Sequence, residues 1–230
     1  MIVDDYSRYT WTRFLRSKAE TPDELVVFLK MIQTKLNQVI VGIRSDHGTE
    51  FENSKLDQFC LENGTSHNFS APRTPQQNGV VERKNRTLVN VARTMIIESN
   101  LPQKFLGRSC QHNLSCYHRC LIRVVLNKTL YELLNNRKPM LIYLRAFGCK
   151  CFVLNNGKDD LGKFDSRSDE GVFVGYSSSS KAYRIFNKQT QCIEESIHIV
   201  FDENKSLRNN GSNDEDDVIK LFKSQKIEGS

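Results

Sequence analysis

The hydrophobic pattern changes period near Phe147, and this change divides the chain before any motif is read. Beyond it, residues 149–154 (CKCFVL), 171–176 (GVFVGY), 182–186 (AYRIF) and 195–201 (ESIHIVF) are short β-rich segments separated by Gly, Asn, Ser and charged turns. Such spacing predicts a small antiparallel barrel over residues 144–202. Before it, strand-like and helix-like stretches alternate, the pattern of an α/β core over residues 1–101. Residues 102–143 read as a helical connector, and residues 203–230 as a polar, acidic tail with too little apolar surface to fold.

Within the first region, residues 9–15 (YTWTRFL) alternate apolar and polar side chains, as a strand with one buried face does. Ile2-Val3 ends the strand before it, and Asp4 to Arg8 connect the two. Thr21-Pro22-Asp23-Glu24 supplies a hydroxyl cap, a proline at the first helical position and two first-turn acids, so a helix runs from there to about Asn37. Residues 39–43 form a short β-branched strand that delivers Asp46 near its C-terminal tip.

Asn53-Ser54 caps a second helix that Gly64 stops, and residues 66–70 read as another short strand. Two prolines among polar residues make 71–78 (APRTPQQN) a loop. Gly79 releases a long helix to about Ser99, with Val80, Val81, Leu88, Val91, Ala92, Met95 and Ile96 turned to the core and charged residues opposite. A helical stretch from Pro102 to about Leu126 and a short helix over 128–134 (KTLYELL) make up the connector.

No apolar run approaches the roughly 20 residues that a membrane helix needs, so no membrane partner is expected. Met1-Ile2-Val3-Asp4-Asp5 lacks the charged and apolar regions of a secretory signal, which argues against export. Seven cysteines at scattered spacings suit a reducing compartment. Cys149 and Cys151 look like strand alternation, and His112, Cys116, His118 and Cys120 have zinc-binding donors without a zinc-binding spacing, so we read all of them as structural.

The formal charge of +6 favours a polyanionic partner because the positive residues are grouped: Arg83, Lys84, Arg86 and Arg93 share one predicted helix. A solvated helix face is the plain alternative. Acids gather instead at Asp214 to Asp217. Carboxylates at a strand tip and on a helix are what two-metal phosphoryl transfer requires, because hard divalent ions take oxygen ligands and stabilise both the attacking and the leaving oxygen. Asp46 and Glu82, separated by 35 residues, are the candidates.

Here the sequence becomes specific. RSDHGTEF at 44–51 followed by PQQNGVVERKNRTL at 75–88 resembles the second and third blocks of the D,D-35-E integrase core of copia-type retrotransposons. VDDYSRYTW at 3–11 is similar to that family's second strand and turn. FGCKCFVLNN and KFDSRSDEGVFVGY resemble its downstream SH3-like domain. The resemblance implies a truncated RNase H-like core, a helical connector and a small SH3-like β-barrel.

It also implies that Asp46 and Glu82 bind Mg²⁺ or Mn²⁺, that Gln77 and Asn78 lie beside DNA ends, and that Arg83, Lys84 and Arg86 meet phosphates. The partners implied are retroelement DNA ends, target DNA and further copies of the chain, and the implied location is the nucleus for an active protein and otherwise intracellular. The family's first catalytic aspartate belongs to a strand before Ile2-Val3, and neither Asp4 nor Asp5 matches it. Its upstream zinc-binding module is likewise not among these residues, and Leu106 stands where the family usually has Trp. The expected function is therefore an integrase core that is ancestrally a polynucleotidyl transferase but inactive as it stands. The alternative is a non-catalytic nucleic-acid-binding remnant.

Overall fold

The structure, a computed structural model, describes residues 1–70, 79–154, 167–177 and 179–202. The acidic tail and the loop bearing Gln77 and Asn78 lie outside the described residues. The chain forms two compact units, Met1–Thr87 and Leu88–Ser230. The expected core boundary near Leu101 therefore falls within the second unit.

The first unit opens with an antiparallel ribbon of β1 (Ile2–Val3) and β2 (Thr10–Trp11). The alternation through Leu15 persists in sequence, but the ladder stops at Trp11 because β1 offers only two partner residues. Helix α1 (Thr21–Leu36) begins with proline in its first turn and ends at Asn37, whose φ of 50° places it in the left-handed region. Strand β3 (Gly42–Ser45) lies further along than residues 39–43, because its pairing is fixed by a parallel partner.

Helix α2 (Ser54–Asn63) has the expected caps: the Asn53 side chain accepts from the Lys55 amide, and Gly64 turns with φ 61°. It leads to β4 (Ser66–Phe69), which pairs with β3 so that Ser45 lies opposite Phe69. Phe28, Leu29, Ile32, Leu56, Phe59 and Cys60 form the core, and Ile2, Trp11 and Ile43 pack against it from both ribbons. Burying roughly six such side chains stabilises the unit by about 1.5–3 kcal/mol each before chain entropy opposes it. Among the described residues, β1–β2 and β3–β4 are separate two-stranded sheets.

Helix α3 (Gly79–Glu98) contains the boundary between the units, and of its expected inward face Leu88, Ala92 and Ile96 are buried whereas Val80 and Val91 are exposed, since no neighbouring element covers them among the described residues. Its C-terminal half serves the second unit: the Ala92 carbonyl accepts from Ser109 Oγ at 3.0 Å, and Ile96 joins Phe105, Val174 and Phe186 in a buried cluster. Helix α4 (Leu106–Cys120) is shorter than the expected helix to Leu126. The difference is a ribbon of β5 (Ile122–Arg123) and β6 (Lys128–Thr129), closed at Asn127 with φ 48°. The β-branched run Ile122, Val124, Val125 favours extended backbone there over helix. Helix α5 (Leu130–Asn135) starts at a capping box, with Thr129 and Glu132 bonding each other's main chain.

The strands β7 (Lys150–Leu154), β8 (Ser168–Tyr176), β9 (Tyr183–Asn187), β10 (Ile193–Ser196) and β11 (Ile199–Asp202) form one antiparallel sheet in the order β10-β9-β8-β7-β11. Tyr183 on β9 and Phe201 on β11 are three strand positions apart, about 14 Å in a flat sheet. Their ring centroids are 4.9 Å apart. The sheet is therefore strongly curled, aided by an irregularity between Phe173 and Gly175, where Gly175 has φ 129°. Its interior holds Cys151, Val153, Phe173, Ile185 and Ile199. Val174, next along β8, joins the cluster of Ile96, Phe105 and Phe186 instead, which is why β8 is buried on both faces.

Candidate metal and nucleic-acid site

Asp46 follows the last residue of β3 and is exposed. The parallel pairing with β4 carries it to the C-terminal end of that ribbon, where strand ends of α/β folds present their functional groups. Its Oδ1 accepts from the Gly48 amide at 3.3 Å, a long bond that leaves the carboxylate open to other partners. Glu82 sits in the first turn of α3 and is also exposed, a position that the helix dipole favours for a negative group. Both belong to the first unit.

The residues beside Asp46 are tied to β4. Ser45 is buried, and its hydroxyl donates to the Asp46 carbonyl at 3.1 Å while meeting His67 Nε2 at 2.9 Å. His47 stacks on Phe69 with ring centroids 5.0 Å apart at 17°, and its Nδ1 lies 3.2 Å from Glu52 Oε1. Burial pushes the His67 imidazole below its usual range, against an opposing pull from the Asp57 carboxylate. Sequence reasoning singled out Asp46 and missed Ser45, His47, His67 and Phe69. The alternation in SHNF, with both rings two residues apart, was the available signal.

The basic residues of α3 divide. Arg83 and Arg86 are exposed. Lys84 is half-buried and turns to the first ribbon, where its ammonium donates to the Arg8 carbonyl at 2.7 Å and to Thr10 Oγ1 at 3.1 Å. Desolvation, with Arg8 nearby, lowers its pKa to about 8. Arg8 itself adopts φ 61°, so the carbonyl is offered from a strained turn. Gln77 and Asn78 lie outside the described residues.

The His and Cys cluster of α4 is an interior feature. His112 is buried and stacks on Tyr176 with ring centroids 5.5 Å apart at 17°, with Phe147 and Phe173 also against it. Its Nε2 lies 3.4 Å from Cys116 Sγ, and burial lowers its pKa to about 4. Cys120 is exposed and His118 buried. Among the described residues, no group of three or more His, Cys, Asp or Glu side chains is placed to hold a metal ion. Asp46 and Glu82 are both exposed oxygen donors, the kind of ligand that a hard divalent cation takes.

Residues 1–75 match the integrase core domain family, and residues 149–215 match the retroviral polymerase SH3-like domain family. The chain is 28% identical over 203 residues to a Pol polyprotein of transposon TNT 1-94 from Nicotiana tabacum, covering 88% of this chain and 15% of that protein. It is 29% identical over 204 residues to a Pol polyprotein of transposon RE1 from Arabidopsis thaliana, covering 89% of this chain and 14% of that protein. The chain thus spans only a small part of these relatives' length.

Among solved structures it is similar to the HTLV-2 integrase catalytic core domain in complex with magnesium, with 19% identity, a TM-score of 0.45, and coverage of 58% of this chain and 81% of that one. It is also similar to a chain of a simian T-cell lymphotropic virus intasome in complex with a PP2A regulatory subunit. That likeness has 17% identity and a TM-score of 0.48, and covers 84% of this chain and 67% of that one. The expected fold class agrees with these matches and with the observed architecture: a mixed helix and strand region, a connector and a small curled five-stranded sheet. No helix among the described residues is long and apolar enough to cross a membrane.

Proposed function

Since the chain carries integrase core and SH3-like domains related to the Pol polyproteins of copia-type transposons, we propose that it is part of a DNA-integrating polynucleotidyl transferase. The observation that carries this reading is the placement of Asp46 at a parallel strand end and Glu82 in the first turn of α3, with 35 residues between them. The substrates are retroelement DNA ends and target DNA, and the site of action is the nucleus.

In this reading Asp46 and Glu82 hold Mg²⁺ or Mn²⁺ by their oxygens. A bound divalent ion would stabilise charge on the attacking and leaving oxygens of the phosphodiester. Arg83, next to Glu82, and Arg86, one turn on, are exposed and would bind phosphates without reading sequence. Gln77 and Asn78 would flank the DNA end. Integration joins two DNA ends to one target, so assembly with further copies of the chain is part of the proposal.

These 230 residues contribute two carboxylates where the family uses three. By themselves the two carboxylates favour a second reading, nucleic-acid binding without chemistry. Mn²⁺ titration and joining of labelled oligonucleotides, run on this chain and on its Asp46→Asn and Glu82→Gln variants, separate the two. Metal binding that both variants abolish supports the integrase site. DNA binding that persists with no metal dependence supports the second reading.

A further inference from the structure

The contacts around Asp46 form a connected arrangement rooted in β4. The Ser45 hydroxyl has one proton, and it is directed to the Asp46 carbonyl at 3.1 Å. The 2.9 Å contact to His67 Nε2 must then be donated by the imidazole, with the Ser45 oxygen accepting. Both contacts are satisfied together when the proton is on Nε2 and the lone pair on Nδ1, and Nδ1 is buried with no hydrogen-bond partner among the described residues.

On the other side of Asp46, His47 lies flat on Phe69, and the Glu52 carboxylate meets its Nδ1. His67 and Phe69 are two residues apart on β4 and touch each other with ring centroids 4.3 Å apart. The residue before Asp46 and the residue after it are thus each held by an adjacent aromatic side chain of one strand. Asp46 itself remains exposed.

We infer that His67 is a positioning residue, which with Phe69 clamps the Ser45–His47 main chain so that the Asp46 carboxylate is presented in one orientation before any ligand arrives. The use of that carboxylate rests on the reading under Proposed function, whereas the clamp is a property of the chain alone. Groups that orient a ligating side chain without touching the ion typically change metal affinity by about 10- to 100-fold when removed.

The test uses the full 230-residue chain, labelled with ¹⁵N, and its His67→Leu and His67→Gln variants. Leu removes the donor, and Gln restores an N–H near the position of Nε2. Three quantities are read: the His67 ring ¹⁵N shifts, the order of the 45–48 amides from relaxation, and Mn²⁺ affinity. The parent is expected to show a protonated Nε2 and ordered amides. His67→Leu should loosen residues 45–48 and weaken Mn²⁺ binding by about tenfold, and His67→Gln should recover both. Unchanged amide order in His67→Leu, or His67→Gln behaving as Leu does, overturns the clamp.

Should His67→Leu fail to fold, Ser45→Ala breaks the same link without altering β4, and the same loss of order at 46–48 is required of it. If the parent binds no Mn²⁺ while the amide order follows the expected pattern, the metal reading of the site fails and the clamp stands.

Discussion

The Lys84 ammonium donates to the carbonyl of Arg8 at 2.7 Å, joining the third residue beyond Val81 on α3 to the turn of the first ribbon. An ammonium held in this way, half-buried and with Thr10 Oγ1 as a second acceptor, is already occupied. Its neighbours Arg83 and Arg86 are exposed. Replacing Arg83 or Arg86 with Ala should lower the salt dependence of DNA binding by about one counterion each, whereas Lys84→Met should leave the slope nearly unchanged. Binding isotherms at several salt concentrations measure this. A full unit lost from the slope in Lys84→Met would show that its ammonium leaves Arg8 to meet phosphate.

His112 makes folding of the second unit sensitive to acid. Burial among Tyr176, Phe147 and Phe173 lowers its pKa to about 4, below the ordinary imidazole value of 6.5. The unfolded chain therefore takes up the proton first as pH falls. Stability from this group is complete above the unfolded value, drains away through the window down to the folded value, and levels off below it. From about pH 7.5 to about pH 5 the loss should be about 2 kcal/mol. Denaturant melts at the two pH values should lose that difference in His112→Phe, which keeps a ring in the stack and removes the titration.

Gly148 is required where the chain passes the end of α3. Its φ is 79°, and a Cβ there would lie 1.8 Å from Ser99 Oγ and 2.3 Å from Ser99 Cβ. The Gly148 amide also donates to the Phe173 carbonyl at 2.8 Å, so the backbone cannot easily retreat. Gly148→Ala should cost about 2–4 kcal/mol, the sum of overpacking and left-handed strain. In a Ser99→Gly background the overpacking part should vanish and about 1–2 kcal/mol remain. A thermal-melt double-mutant cycle reads both parts, and additivity of the two changes would contradict the clash.

Asp46 and Glu82 should not support strand transfer in these 230 residues alone, even with Mg²⁺ and processed DNA ends supplied. On the proposed reading, with two of the three carboxylates that the resemblance implies, a second ion would lose its bridging ligand, and the deficit in transition-state stabilisation would amount to about a thousandfold or more in rate. A longer chain that adds an Asp-bearing strand ahead of Ile2 should join labelled oligonucleotides. Robust joining by the short chain, abolished by Glu82→Gln, would refute this expectation.

Local signals were legible in the sequence because they act over a few residues. Asn53 and Gly64 bracket α2 by their own side-chain and backbone chemistry, Pro22 starts α1, and the Thr129 and Glu132 pair caps α5. The change of period at Phe147 likewise announced the curled sheet, since alternation follows from the pleat itself. The blocks around Asp46 and Glu82 carried the candidate site for a related reason: each is a short run whose residue types suit one chemistry.

What only the tertiary structure decided depends on partners distant in sequence. Strand β3 is displaced toward Asp46 because β4 sets its register. Lys84 reads as one more basic residue of α3 until the Arg8 carbonyl is placed beside it. His67 reads as a polar residue on a short strand until Ser45 is brought within 2.9 Å. The sequence determined which side chains could do chemistry and where most helices and strands would form, since both follow from residue type and local spacing, but not the β5–β6 ribbon that replaces the end of the expected connector helix. It could not determine which groups would be occupied internally and which left open to a ligand, because burial and hydrogen bonding are set by the packing of elements far apart in the chain.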